Sequence, residues 1–222
     1  MSSLLLNNLE SIEIERERRV LGKTKLDPRA NVLWKLALES CPNENIKSML
    51  KRAYGFACAQ EYKHGGITSD VYFAHALRVA SLSILFSEED KLEVGIIGLL
   101  HNVLEVTDID VKIISREFGS DVAQQIYNLT VERALQWDLD YKVGYYNRLN
   151  NGKGAGRLVK IVDKLDNLYL LNLNPNKEIK IKYLKEINKH IIPMVESETP
   201  FLINYMNDLV TETSLRCNEG NG

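Results

Sequence analysis

Apolar residues recur every three or four positions along most of this chain, and strict alternation of apolar and polar residues between turn residues is nearly absent. The first spacing is typical of helices that bury one face, whereas alternation marks half-buried strands. The pattern therefore predicts an all-α fold. The predicted helices cover residues 28–39, 45–62, 72–85, 87–101, 108–119 or 110–119, 120–129, 140–149, 155–171, 177–191 and 200–215.

Two of these predicted helices bury almost every position. The helix over 72–85 carries His75, and it follows a loop at 64–70 that is rich in glycine and small polar residues. The helix over 87–101 is apolar on nearly all sides and ends in His101, which predicts that it lies at the centre of the fold. Both histidines are therefore expected inside the protein.

Length and composition are those of a globular domain with a small extension, since the 222 residues are 45% hydrophobic and 26% charged. We predict an N-terminal helical extension over residues 1–44. The main helical domain is predicted over residues 45–215, and a flexible tail over residues 216–222.

Charge and cysteine content limit the classes of function. The 28 basic and 30 acidic residues leave a net charge of −2, which argues against a nucleic-acid or anionic-membrane partner, and no apolar stretch is long enough to cross a bilayer. The three cysteines (Cys41, Cys58 and Cys217) are odd in number and widely spaced. They predict reduced thiols and a cytosolic protein.

Three places in the predicted buried helices carry side chains that bind metals. They are His75 in YFAHALRVA, His101-Asn102 in GLLHNVLEV and Asp163 in VKIVDKLDNL. A single buried histidine is usually structural. A buried carboxylate requires a cationic partner, so either a basic side chain or a metal ion is expected near Asp163.

The spacing within two of these segments adds a polar group to each metal candidate. Residues four apart share one face of a helix, so His101 faces the same way as Glu105, and Asp163 the same way as Asn167. A divalent ion held there would lower the pKa of water toward about 7, and Glu105 could orient that water or move its proton. Mixed imidazole and oxygen ligands favour Mn²⁺, Fe²⁺ or Zn²⁺ over Ca²⁺.

Four ordered motifs between residues 53 and 171 resemble the HD-domain phosphohydrolases. Within that superfamily they are most similar to the hydrolase domain of RelA/SpoT-type alarmone enzymes and to the small alarmone hydrolases. YKHGG followed by YFAHALRVA resembles an AHxGQ-like segment and a YxxHP-like helix, and GLLHNVLEVTDI resembles LLHDxxEDT. REFGSDVAQQIYNLT resembles FGxxVAxLVxxLT, and VKIVDKLDNL resembles KLADRLxN.

The resemblance implies an HD-domain helical bundle that hydrolyses a phosphate or pyrophosphate ester of a nucleotide, as (p)ppGpp hydrolases do. It further implies a divalent metal ion, with Mn²⁺ favoured and Fe²⁺ or Zn²⁺ as alternatives. The implied roles are metal binding by His75, His101 and Asp163 with Asn102 as a weakened fourth ligand, catalysis by Glu105, and nucleotide contact by Asn167.

Three departures from the family pattern favour a rival interpretation. Asn102 replaces the aspartate of the HD pair, Val106 replaces the second catalytic acid, and the loop after His64 lacks an Arg-Lys-Ser-Gly element. The rival is a catalytically impaired protein of the same fold that acts as a nucleotide-binding or protein-interaction module. A third alternative is that Asn102 was engineered to give an inactive form.

Basic residues near these motifs are candidates for binding substrate phosphate. Lys164 follows Asp163 directly, Lys63 and His64 precede the glycine loop, and Arg148 precedes the loop at residues 150–154. The predicted partner is therefore a small nucleotide. A homo-oligomer is left open, and so is a purely solvated role for the loop residues.

Overall fold

The computed structural model describes residues 9–22, 28–63, 68–152 and 154–219, and these residues form helices and loops without a strand. The predicted all-α fold is confirmed. The α-helices are α1 (Ile12–Gly22), α2 (Pro28–Glu39), α3 (Glu44–Cys58), α4 (Ser69–Phe86), α5 (Lys91–Leu100), α6 (Val103–Val106), α7 (Val111–Phe118), α8 (Ser120–Leu129), α9 (Leu139–Asn150), α10 (Gly154–Leu168), α11 (Lys177–Glu186), α12 (Ile192–Glu198) and α13 (Ile203–Glu219). Short 3₁₀ turns lie at Leu171–Leu173 and Pro200–Leu202, and a π-helical turn lies at Ile187–Ile191.

Helices α4, α5 and α10 form the centre of the bundle, and most of their residues are buried. Gly98 of α5 allows the closest approach between two of them, because a Cβ added there would lie 2.6 Å from the Cα of Ala80 in α4. Any larger residue would push α5 away from α4. This contact fixes the two helices that carry His75 and His101 side by side.

Helix α1 is attached to the rest of the bundle by buried charged groups. The guanidinium of Arg16 donates to the backbone oxygen of Tyr169 at 3.2 Å and pairs with Glu212 of α13. Arg19 pairs with Glu15 at 2.6 Å and with Asp166 of α10 at 2.7 Å. The predicted division into an extension (residues 1–44), a domain and a tail stays a prediction, but α1 and α10 share these contacts.

Helix boundaries differ from the sequence predictions where the backbone turns sharply. The predicted helix over 87–101 begins only at Lys91, because Asp90 adopts a left-handed conformation with φ 49°. The predicted helix over 177–191 remains α-helical to Glu186 and then widens into the π turn. Pro193 follows that turn, and because proline has no N–H, it cannot continue a regular α-helical hydrogen-bond series.

The C-terminal helix α13 and the three cysteines can also be compared with the sequence predictions. Helix α13 runs to Glu219, beyond the predicted end at residue 215, and Cys217 within it is buried. Cys41, Cys58 and Cys217 are all free thiols. Among residues 9–22, 28–63, 68–152 and 154–219, no helix combines the length and apolar character needed to span a membrane.

Candidate metal centre

Three central elements bring His75, His101 and Asp163 together. His75 lies in the second turn of α4, His101 directly follows α5, and Asp163 lies within α10. One ligand atom from each lies within 4.8 Å of the others. The Nε2 atoms of His75 and His101 lie 3.4 and 3.7 Å from Oδ1 of Asp163. The side chains that the sequence analysis selected therefore surround one point inside the bundle.

Hydrogen bonds on the far side of each ring orient both imidazoles. Nδ1 of His75 lies 2.8 Å from a carboxylate oxygen of Asp166, and Nδ1 of His101 lies 2.7 Å from the backbone oxygen of Gly98. Both partners only accept, so each Nδ1 carries a hydrogen, and when the ring is neutral its Nε2 presents a lone pair on the side of Asp163. The Nε2 of His101 is buried without a hydrogen-bond partner.

This donor set fits a divalent cation. Two lone pairs and a carboxylate oxygen meet in a buried space, and like groups repel there unless a positive charge lies between them. Metal-binding histidines commonly donate their other ring N–H to a carboxylate or a backbone carbonyl, which is what His75 and His101 do. His75, His101 and Asp163 would hold the ion.

Asp163 is ionised despite its burial. Its Oδ2 accepts from Lys160 at 3.1 Å, and its Oδ1 accepts from the amide of Asn167 at 2.7 Å. Burial raises the pKa of this carboxyl, but Lys160 and the two histidines outweigh it and hold the pKa well below its usual range. An anionic oxygen is thus available beside both imidazoles.

The fourth corner of the candidate centre, predicted to be Asn102, carries no charge. Asn102 directly precedes α6 and lines the cleft, so the position that carries an acid in the HD pair presents an amide instead. Val106 is 4% exposed and belongs to the hydrophobic core. Neither residue brings a second carboxylate to the cation.

Glu105 lies one turn after His101 and borders the same cleft as Asp163. Its Oε1 accepts the backbone N–H of Val131 at 2.8 Å, and Arg133 approaches its Oε2 at 3.8 Å. Burial is the main cause that raises the pKa of Glu105 above its ordinary value. A carboxyl whose pKa is raised by burial suits proton transfer better than an ordinary one.

The cleft extends from the metal centre and has a volume of about 610 Å³. This is within the range of small-molecule sites, roughly 300 to 1,000 Å³. Lys142 lies over the ring of Trp137 at 4.4 Å, and Lys164 lies over the ring of Tyr183 at 4.3 Å. The walls therefore combine cationic and aromatic groups, as a phosphorylated ligand with a flat ring requires.

The structure places some of the other predicted binding residues in the cleft and others outside it. Lys164 and Asn167 line the cleft. Lys63 is exposed and paired with Asp108, and it is not among the residues that line the cleft. Arg148 points to backbone oxygens at the end of α8, at 3.4 and 3.5 Å, and is also outside the lining. His64 lies outside the described residues.

Several cleft residues were not predicted as site residues. Glu186 and Lys142 come from α11 and α9, and no motif marks either of them. Asp166 lies one turn after Asp163, so its position on the same helix face was a usable signal. Arg19 had no such signal, because the residue that it contacts, Asp166, is 147 positions away.

Comparison with known proteins gives a related sequence and related solved structures, one of which is described below. No protein-family model matches the chain. The guanosine-3′,5′-bis(diphosphate) 3′-pyrophosphohydrolase MESH1 of Drosophila melanogaster is 30% identical over 105 residues, which are 46% of this chain and 57% of that protein. The chain thus matches little more than half the length of this curated relative.

The structural match covers more of the chain than the sequence match. A solved structure described as a metazoan ortholog of SpoT that hydrolyses ppGpp and plays a role in starvation responses superposes with a TM-score of 0.59. The match has 21% identity and covers 78% of this chain and 97% of that chain. The chain has the fold of that SpoT-like protein, in agreement with the resemblance that the sequence motifs indicated.

Proposed function

We propose that this chain is a metal-dependent phosphohydrolase of the HD type that cleaves a phosphate or pyrophosphate ester of a nucleotide. The observation that carries the proposal is the convergence of His75, His101 and Asp163, with Nε2 of the two rings 3.4 and 3.7 Å from one carboxylate oxygen. The buried Nε2 of His101, which has no hydrogen-bond partner, further suits a metal ligand. Of the three metals expected, we propose Mn²⁺.

A bound divalent ion would supply a Lewis acid that polarises a phosphoryl oxygen and makes water more acidic. The chain's own residues then orient the reactants. Glu105, held by the N–H of Val131, accepts the proton that the attacking water loses. Lys164 and Lys160 offer positive charge to the phosphate oxygens along α10. Asn167, one turn beyond Asp163, contacts the nucleotide from the same helix face.

The substrate that we propose is guanosine 3′,5′-bis(diphosphate) or a close analogue. Support comes from the names of the related proteins and from a cleft large enough for a nucleotide. The ester at the 3′ position would lie at the metal centre. We also propose that the protein works in the cytosol, in keeping with its three free cysteines.

The test is a pair of measurements on the purified protein: titration with Mn²⁺, and pyrophosphate release from guanosine 3′,5′-bis(diphosphate). We expect one Mn²⁺ per chain and turnover that is lost on chelation. Asn102→Asp adds the missing charge at the fourth corner and should strengthen Mn²⁺ binding about tenfold or more. A protein that binds no Mn²⁺ and releases no pyrophosphate contradicts the proposal.

A second candidate function follows from Asn102 and Val106. Because one corner is neutral and Val106 is buried in the core, the protein can retain the cleft and lose turnover. It would then be a nucleotide-binding or protein-interaction module of the same fold. Binding of the nucleotide without hydrolysis, in both the parent and Asn102→Asp, would favour this second candidate.

A further inference from the structure

Asp166 is the most densely bonded side chain next to the candidate metal centre. Its Oδ1 accepts from Nε of Arg19 at 2.7 Å and from Nε of Arg78 at 2.9 Å. Its Oδ2 accepts from Nη2 of Arg78 at 2.8 Å and faces Nδ1 of His75 at 2.8 Å. Two arginines and a histidine thus surround one carboxylate that is 2% exposed.

The arrangement of these donors fixes which carboxylate oxygen faces which partner. Oδ1 accepts from Nε of both arginines, whereas Oδ2 accepts from Arg78 alone, through Nη2 at 2.8 Å and Nε at 3.2 Å, and faces His75. Because guanidinium groups only donate, the carboxylate can neither rotate nor accept a proton without losing a contact. Oδ2 is therefore held as an acceptor toward His75 Nδ1, which keeps the lone pair of Nε2 on the opposite side of the ring.

One of the two arginines comes from the N-terminal helix. The side chain of Arg19 is fully buried, lies 4.0 Å from the centre of the Tyr169 ring and bonds to Glu15 within α1. Glu15 in turn pairs with Arg29 of α2 at 2.7 Å. A line of alternating charges therefore runs from α2 through α1 to Asp166 and ends on a metal ligand.

We propose that Asp166 and Arg19 are positioning residues that set the tautomer and orientation of His75, so that helix α1 forms part of the metal centre. The role toward the metal rests on the function proposed above. The role toward the ring does not, because the tautomer of His75 is a property of the metal-free protein. Neither residue touches the metal or the substrate.

The first experiment uses Asp166→Asn, which keeps the shape of the side chain. Only Oδ1 accepts from both arginines, so the amide oxygen is expected there, and the amide NH₂ takes the place of Oδ2, where the hydrogen bond from Nη2 of Arg78 is lost. An N–H then faces His75 Nδ1, and the ring hydrogen moves to Nε2, where it blocks the metal position.

The expected result is visible by ¹⁵N NMR of the four histidines, recorded without metal at a pH where the rings are neutral. His75 should carry its hydrogen on Nδ1 in the parent and on Nε2 in Asp166→Asn. Mn²⁺ affinity should fall about 10- to 100-fold, as it does when the groups that orient metal ligands are changed. An unchanged tautomer together with unchanged Mn²⁺ affinity would overturn the proposal.

A second experiment compares Arg19→Gln with Arg16→Gln, and it applies even if Asp166→Asn does not fold. Both arginines are buried in α1 and both pair with a carboxylate, but Arg16 contacts Glu212 and the backbone of Tyr169 instead of Asp166. Arg19→Gln should weaken Mn²⁺ binding severalfold, and Arg19→Lys should restore part of it. Arg16→Gln should leave Mn²⁺ affinity unchanged.

Equal losses of Mn²⁺ affinity in Arg19→Gln and Arg16→Gln would show that α1 acts only through general stability, and would overturn the role of Arg19. If the parent binds no Mn²⁺, the proposed function fails. The NMR comparison of parent and Asp166→Asn then still decides whether Asp166 sets the tautomer of His75.

Discussion

Asp163 and Asp166 lie one turn apart on α10, and both are buried carboxylates with a pKa held well below the usual range. The surroundings of the two groups differ. Asp163 receives hydrogen bonds from Lys160 and Asn167, and its Oδ1 also lies 3.4 and 3.7 Å from Nε2 of two histidines. Asp166 receives donors on both oxygens, from Arg19, Arg78 and His75.

Burial alone, therefore, does not make a carboxylate a metal ligand. What distinguishes the two is the set of atoms that each faces. Asp166 meets only groups that donate, so its charge is already compensated by arginine. Asp163 also lies beside Nε2 of two imidazoles, which present lone pairs when the rings are neutral, so a further cation fits there. The same helix thus provides one ligand and one residue that orients a ligand.

The largest effect on stability should come from Asp166→Ala, which tests whether this carboxylate compensates the buried arginines. The change leaves Arg19 and Arg78 buried without the anion between them. We expect the free energy of unfolding to fall by about 3–5 kcal/mol. Urea unfolding of the metal-free protein measures it. Asp163→Ala leaves only Lys160 without its carboxylate partner. If Asp166→Ala lost no more stability than Asp163→Ala, the comparison would be contradicted.

Glu186 extends the comparison to a third buried carboxylate, which pairs with Lys142 and Lys164 and accepts from Tyr146 at 2.6 Å. Burial raises its pKa, but these donors outweigh that effect and lower the pKa to about 2. The folded-state value lies below the ordinary one of 4.5, so the stabilisation is complete above about pH 4.5 and is lost as the pH falls toward about 2.

The size of this stabilisation is on the order of 3 kcal/mol. Urea unfolding at a series of pH values should show the parent losing stability over that window. Glu186→Gln should be less stable at neutral pH and should show a weaker pH dependence between about pH 4.5 and 2. Identical pH profiles for the two proteins would show that Glu186 is not held in this way.

Metal affinity should respond most strongly to Asp163→Asn, which removes the charge facing His75 and His101 and keeps the shape. We expect Mn²⁺ to bind about 100-fold more weakly or worse, equivalent to about 2.7 kcal/mol, because a ligand should cost at least as much as a residue that orients one. The exposed Asp208→Asn of α13 is the matched control. Unchanged Mn²⁺ affinity in Asp163→Asn would exclude this centre.

The smallest expected effect concerns Lys164 and Arg148, both of which the sequence analysis predicted to bind substrate phosphate. Lys164 lines the cleft, whereas Arg148 contacts backbone oxygens of Asn128 and Thr130 outside it. Lys164→Ala should raise the KM for the nucleotide about tenfold, since it removes one charge–phosphate contact of roughly 1.5 kcal/mol. Arg148→Ala should leave KM unchanged. Similar KM values for both variants would mean that Lys164 does not contact the substrate.

The fold class and the three converging side chains could be predicted from the sequence alone. The three-to-four spacing of apolar residues gave helices, and the motifs around His75, His101 and Asp163 placed each candidate on a buried helix. These features are local: helix periodicity and four-residue spacing operate within one element, so they can be read along the chain.

Which charged groups are buried together, in contrast, depends on how the helices pack. Among 28 basic and 30 acidic residues, nothing local identifies Arg19 as the partner of Asp166 across 147 positions, or Glu186 as the partner of Lys142 and Lys164. Such pairs form only when packing removes water from both members, and their energy depends on that desolvation. The orientation of His75, unlike its presence, is therefore a property of the folded bundle.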